Sequence, residues 1–244
     1  MRVVLLDNRD SFVYNLVDQF ASLGAAIEVY RNTVPASVVL DALEPTDEEA
    51  ERGQRPVLVV SPGPGHPRTS GCLMELLEAA TKRGIPTLGI CLGFQGIVEA
   101  CGGTVDRVGP VHGRSVRVEV TDDGRADQAF QVLAGDPLDV ARYHSLGTQS
   151  LPDSLVSLAV TSAEDPAQAG IVMAARHRAL PVVGLQFHPE SVLTPNGPGI
   201  LRALTAELTT ALTTALAVES PEEKACRASR TAEAAKSSPA RASS

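Results

Sequence analysis

Cysteine is scarce in this chain. The four present, at positions 72, 91, 101 and 226, form neither a C-x-x-C pair nor a regular framework. That usage offers no disulfide scaffold, and it fits a reducing compartment, so a cytoplasmic location is expected. Basic residues are also few: 21 Lys and Arg stand against 29 Asp and Glu, a formal net charge of −8. A surface of that sign argues against non-specific nucleic-acid binding. Long apolar runs are missing too. Val3-Val4-Leu5-Leu6 stops at Asp7, too short for the apolar core of a signal peptide. Nothing approaches the ~20 apolar residues that a membrane span needs, so no membrane partner is expected. The five histidines are scattered and form no tract.

What is present suffices for one large α/β domain: 244 residues, 43% of them hydrophobic. Val3 to Leu6 is a β-branched-rich run of the kind buried in parallel sheets. Asp7 to Asp10 is a turn, with Asp10 or Ser11 placed to cap a helix whose apolar spacing runs from Phe12 to Leu23. Ile27 to Tyr30 and Val57 to Val60 read as further strands, and Gly71 to Lys82 as a helix. This βαβ order predicts an open, mostly parallel twisted sheet with helices on both faces. After Gly102-Gly103 the pattern changes. Thr104 to Val108 reads as a short strand. Val116 to Val120 alternates with Arg117 and Glu119, the period of a half-exposed strand, and Leu155 to Val160 and Ile171 to Ala175 read similarly. A smaller antiparallel extension is therefore expected beyond residue 101. Gly197 to Leu216 closes the domain as a helix, giving a domain over 1–216. The Ala/Ser-rich stretch 217–244 has too little apolar surface to offset chain entropy and is expected to be disordered.

The chain is organised around Gly89-Ile90-Cys91-Leu92-Gly93-Phe94-Gln95. A strand-like run leads in and a helix-like run leads out, and Gly-x-Cys-x-Gly fits a nucleophile elbow. A sulfur at the first turn of a helix feels the positive end of its dipole, which favours thiolate. Gln95, four residues on, would share a helix face with Cys91. Cysteine is equally at home as a small buried hydrophobe, so the elbow needs partners. Ser61-Pro62-Gly63-Pro64-Gly65 follows a buried strand, where α/β sheets bind ligands. The N–H groups of Gly63 and Gly65, unshielded by side chains, suit an oxygen. A plain Pro/Gly turn is the alternative. Val182 to Phe187 runs into His188-Pro189-Glu190. Pro189 biases His188 away from helical dihedrals, and Glu190 can fold back onto one imidazole nitrogen, leaving the other for a thiol.

Together these stretches, with Asp7-Asn8-x-Asp10-Ser11-Phe12, His112-Gly113-Arg114 and Arg142-Tyr143-His144-Ser145-Leu146, resemble the class I (triad) glutamine amidotransferases over about residues 2–210. Within them the branch is that of the glutaminase subunits of anthranilate synthase and aminodeoxychorismate synthase. The resemblance implies a flavodoxin-like amidotransferase fold and a Cys91–His188–Glu190 triad that hydrolyses L-glutamine through a γ-glutamyl thioester. It implies an oxyanion held by the N–H groups of Leu92 and Gly63. It implies glutamine contacts from Gly63, Gly65, Gln95, Ser145 and Leu146. Ammonia would pass to a chorismate-binding synthase subunit in a heterodimer or heterotetramer. Docking would lie near the Asp7–Phe12 and Gly109–Arg114 loops. No metal and no organic cofactor are implied.

Phe94 departs from the family, which usually has His there. Three residues after Cys91, it would lie near the same helix face, pack locally and alter how the subunit senses its partner. Phe94 is also the support for an alternative, a non-catalytic regulatory subunit. A glutaminase serving an isochorismate-derived amine is a further alternative. A cysteine-type α/β hydrolase shares the elbow, but there an acid precedes the histidine. A zinc site from Cys91, His144 and His188 lacks a closely spaced ligand pair.

Overall fold

The computed structural model describes residues 1–109, 113–130, 138–163 and 169–215. The expectations for His112 and for the tail at 217–244 lie outside the described residues. The first half alternates strand and helix: β1 (Arg2–Asp7), α1 (Val13–Ser22), β2 (Ala26–Arg31), α2 (Ala36–Ala42), α3 (Asp47–Glu51) and β3 (Val57–Val60). Then come α4 (Leu73–Lys82), β4 (Thr87–Ile90) and α5 (Leu92–Ala100). The second half is mainly strands: β5 (Asp106–Arg107), β6 (Arg114–Val120), α6 (Asp122–Ala126), β7 (Leu138–Arg142) and β8 (Leu146–Gly147). It ends with β9 (Leu155–Thr161), β10 (Val172–His177), β11 (Val182–Leu185) and α7 (Gly197–Ala215).

Nine strands form one sheet in the order β2-β1-β3-β4-β11-β10-β9-β6-β7. The first five are parallel, and the last four join antiparallel. This is the expected mostly parallel sheet with a smaller antiparallel extension. Strand side chains alternate between faces, and both faces of the parallel part are apolar. Val3 and Leu5 of β1 enter one core with Leu16 and Phe20 of α1 and Leu201 and Leu204 of α7. Val4 and Leu6 enter a second core with Leu73 and Leu76 of α4 and Phe94 of α5. Helices therefore cover both faces, as an all-buried parallel sheet demands.

Four readings need correction. Val172 to Ala175 are fully buried, not half-exposed, because β10 lies inside the nine-stranded sheet. The strand read at 104–108 shrinks to Asp106–Arg107, which pairs with β8 in a separate two-stranded ribbon. Neither Asp10 nor Ser11 caps α1, which begins with no side-chain cap; Asp10 instead accepts the Phe12 N–H at 2.6 Å. Strand β7 and helix α6 were not foreseen.

Phe94 gives the fourth correction. It is fully buried in the second core, and it packs on β11 at Gly184. A Cβ built at Gly184 would stand 2.6 Å from the Phe94 ring, closer than packed atoms tolerate. Phe94 therefore faces the sheet and not the Cys91 side of α5, which begins at Leu92 after a non-helical Cys91 (φ 50°, ψ −97°).

Gly184→Ala should therefore destabilise the chain by about 1–3 kcal/mol through overpacking, read as a lower urea midpoint. Phe94→Leu, with a smaller facing side chain, should recover part of that loss in the double variant. Strictly additive losses would mean that the two positions do not press on each other.

Candidate active site

Cys91 sits where β4 turns into α5, at a positive φ that non-glycine residues rarely adopt. The turn is forced by close backbone approach. A Cβ at Gly93 would lie 2.5 Å from the Val60 carbonyl oxygen of β3, and one at Gly89 would lie 2.6 Å from the Gly93 backbone. The first turn of α5 is thus pressed onto the sheet. The Cys91 N–H donates to the Leu185 carbonyl of β11 at 2.7 Å, which ties the elbow to the strand that carries the histidine.

Beyond β11 the chain is fastened at each step. Gln186 N–H donates to Met173 O at 2.8 Å, and His188 N–H donates to Ala141 O of β7 at 3.2 Å. The Thr194 hydroxyl donates to His188 O at 2.7 Å and accepts the Ala141 N–H at 2.9 Å. His188 Nδ1 and Glu190 Oε1 are 2.7 Å apart, both side chains buried. The carboxylate thereby holds the proton on Nδ1. Nε2 is buried without a closed hydrogen bond, within range of the Cys91 thiol. Burial opposes the imidazolium, but the nearby Cys91 sulfur, and then the Glu190 carboxylate, outweigh it. The His188 pKa stands well above the ordinary 6.5.

A cleft of about 520 Å³ opens beside Cys91, within the range of small-ligand sites. Gly63, Gly65, Cys91, Gln95, Ser145 and Leu146 all line it, so most of the expected site residues converge. Gly63 packs against Leu92: a Cβ on it would meet Asn8 and the Leu92 side chain at 2.6 and 2.9 Å. Leu92 N–H belongs to the unpaired first turn of a helix. The Gly63 N–H makes no hydrogen bond among the described residues. Gly63 and Leu92 are thus neighbours, each with a main-chain N–H not taken up by another described residue. Phe94 is not among the lining residues.

Three positioning residues were missed. Asn8, read as part of a turn, anchors the Pro/Gly loop: its N–H donates to Ser61 Oγ and its Nδ2 to Ser61 O, both at 2.9 Å. Gln186 is fully buried, and its Oε1 accepts Gln95 Nε2 at 3.3 Å. A glutamine in an otherwise apolar strand run was the available signal. His144 is buried with Nδ1 2.6 Å from Leu146 O, a carbonyl that also accepts Gln95 Nε2 at 3.0 Å. Burial, then the Arg142 charge, pushes the His144 pKa down to about 3. It is neutral at any physiological pH.

Comparison with known proteins identifies the family. The family model for class-I glutamine amidotransferases matches residues 4–208. Anthranilate synthase component 2 of Corynebacterium glutamicum is 43% identical over 217 residues, which is 84% of this chain and 97% of that protein. A pyocyanine-specific anthranilate synthase component 2 of Pseudomonas aeruginosa is 44% identical over 203 residues, 82% of this chain and 91% of that protein. A glutamine amidotransferase structure from Thermotoga maritima shares the fold, with a TM-score of 0.62 at 20% identity, over 85% of this chain and 97% of that one. The chain belongs to the class-I glutamine amidotransferase family.

The two histidines give opposite titrations to measure. The imidazolium of His188 should persist above pH 6.5 in NMR, and both Glu190→Gln and Cys91→Ala should move it to lower pH by removing a stabilising partner. For His144 the unfolded chain binds the proton at about 6.5 and the folded chain at about 3. Its stabilisation is present above pH 6.5 and lost as pH falls towards 3. Between pH 7 and 5 the loss is about 2 kcal/mol. Urea midpoints of the wild type should fall more steeply over that interval than those of His144→Asn.

Proposed function

We propose that this member of the class-I glutamine amidotransferase family is the glutaminase subunit of an anthranilate-synthase-type assembly. It hydrolyses the side-chain amide of L-glutamine and delivers ammonia to a chorismate-binding synthase subunit. The observation that carries the reading is a strained Cys91 elbow that lines a cleft with Gly63, Gly65 and Gln95, while the buried His188–Glu190 pair acts on Cys91 from behind that lining. Further support comes from the relatives named anthranilate synthase component 2, which this chain matches over most of their length. Residues 1–216 make up the amidotransferase domain.

In this mechanism Cys91 Sγ gives its proton to His188 Nε2 and attacks the amide carbon of glutamine, and a C–S bond forms. Negative charge moves onto the carbonyl oxygen, at the N–H groups of Leu92 and Gly63. His188 gives its proton to the amide nitrogen, the C–N bond breaks and ammonia leaves. Water, deprotonated by His188, then cleaves the thioester to glutamate and restores Cys91. Glu190 holds the imidazole in register. Gln95, braced by Gln186 and the Leu146 carbonyl, binds the substrate with Gly65, Ser145 and Leu146.

The docking face adjoins the triad. Phe12, Tyr14 and Val192 are exposed large apolar residues. The Phe12 ring lies 5.7 Å from Tyr143 and 6.4 Å from His188, and Tyr143 stands edge-on to His188 at 5.0 Å. A synthase subunit seated there would press on the rings that border the proposed base. A second reading has one observation behind it. The Pseudomonas relative is named pyocyanine specific, so a synthase of a secondary pathway is the alternative partner.

The test is to copurify the partner, supply chorismate with glutamine, and identify the aromatic product by mass. Cys91→Ala should abolish glutamine-dependent product and leave synthesis from ammonium salt intact; loss of both would make Cys91 structural. Phe12→Asp should lower partner-stimulated glutamine hydrolysis at least tenfold, with complex formation weakened in parallel by gel filtration.

A further inference from the structure

The cleft beside Cys91 carries an unusual charge pattern for an acidic chain. Among the described residues no Asp or Glu lines it, and Arg107 is the one permanent cation that does. The two histidines that line it do not compete for that role. His144 is held neutral by burial and by the Arg142 charge, and His66 turns its Nε2 towards Glu99 at 3.7 Å. Arg107 itself is exposed, and among the described residues it makes no ion pair and no side-chain hydrogen bond. Its neighbour Asp106 does not neutralise it at the cleft: successive strand residues face opposite ways, and Asp106 is not a lining residue.

The ribbon sets Arg107 in the cleft wall beside Leu146, in the cleft that Cys91 also lines. Arg107 pairs in register with Leu146, and Asp106 with Gly147. The Leu146 carbonyl is the hub that His144 and Gln95 both hold. The cation is thus built into the wall that also carries Ser145 and Leu146. A glutamine whose amide carbon is at Cys91 extends its α-carboxylate about 5 Å further along the cleft, the span of its intervening carbons. A guanidinium is suited to a carboxylate because its planar fork gives two parallel charge-assisted hydrogen bonds.

We infer that Arg107 is a specificity-determining residue: its guanidinium receives the α-carboxylate of the substrate, so the site selects γ-amides that keep a free α-carboxylate. The inference rests on the glutaminase reading and adds to it the group that tells glutamine from other primary amides. Arg107 takes no part in bond breaking, so its contribution is to binding.

The experiment uses the full chain with its synthase partner and two readouts. The first is hydrolysis of L-glutamine and of its α-methyl ester, which lacks the negative charge. Arg107→Gln should raise KM for glutamine about tenfold with kcat changed less than twofold, and leave the ester nearly unaffected. Arg107→Lys should recover part of the loss. The second readout is alkylation of Cys91 by a γ-diazoketone analogue of glutamine, followed by mass. Half-saturation should shift about tenfold in Arg107→Gln for the free acid and not for its ester. Equal shifts for acid and ester, or none, would overturn the role of Arg107 while leaving the glutaminase reading in place. A wild-type Cys91 that neither turns over glutamine nor takes the label would overturn both.

Discussion

The backbone of Cys91 is the constraint on which the site depends. Its φ of 50° and ψ of −97° lie outside the regions an L-residue occupies freely, at a cost on the order of 1–3 kcal/mol. The strain persists because the surroundings over-determine it. On one side α5 is pressed to the sheet, with Gly93 against the Val60 carbonyl. On the other, the Cys91 N–H is bound to Leu185 of β11. A relaxed dihedral would break that hydrogen bond or drive the first turn of α5 into β3. The strain also does something useful: it turns the sulfur out of the strand while leaving Leu92 N–H unpaired beside it.

The same bond explains why the proposed nucleophile and base keep register. Leu185 ends β11, and three residues later comes His188. The distance between thiol and imidazole is thus governed by a short stretch of chain pinned at both ends, at Leu185 by Cys91 and at His188 by Ala141 and Thr194. The antiparallel half of the sheet supplies the second pin. β7 holds the His188 backbone, and the residues that follow it, Tyr143 to Leu146, form the facing wall of the cleft. The extension beyond the parallel strands is therefore structural support for the base as well as cover for the core.

This division also accounts for what was legible in the sequence. The parallel half declared itself through contiguous apolar runs such as Val57 to Val60, because each of its strands is buried on both faces. The elbow, the Pro/Gly loop and His188-Pro189-Glu190 were legible because local chemistry fixes their conformation. The antiparallel half was harder. β7 reads Leu-Asp-Val-Ala-Arg, and Arg142 is fully buried, so polarity misled about depth. Phe94 was misread for a geometric reason. Three residues past Cys91 the side chain faces Gly184 of β11, whereas Gln95, four past it, reaches the cleft. The hydrogen-bond roles of Asn8 and Gln186 depend on partners 53 and 91 residues away, which no local pattern encodes.

His144 and His188 show how the fold assigns different chemistry to one residue type. Both are buried, and burial alone would keep both neutral. His188 has Glu190 on one nitrogen and the Cys91 thiol near the other, so its charged form is stabilised from both ends. His144 has a carbonyl on one nitrogen and the positive charge of Arg142 close by. The carbonyl favours the charged form, but burial and then the Arg142 charge outweigh it. Of these two, His188 alone has its protonated form favoured by its surroundings, which makes it the candidate acid and base. A neutral His144 is the better brace, because an imidazolium there would add charge to the wall where Arg107 already stands. Among the described residues the cleft wall carries the Arg107 charge and a neutral His144, and the charged form is favoured at His188 instead.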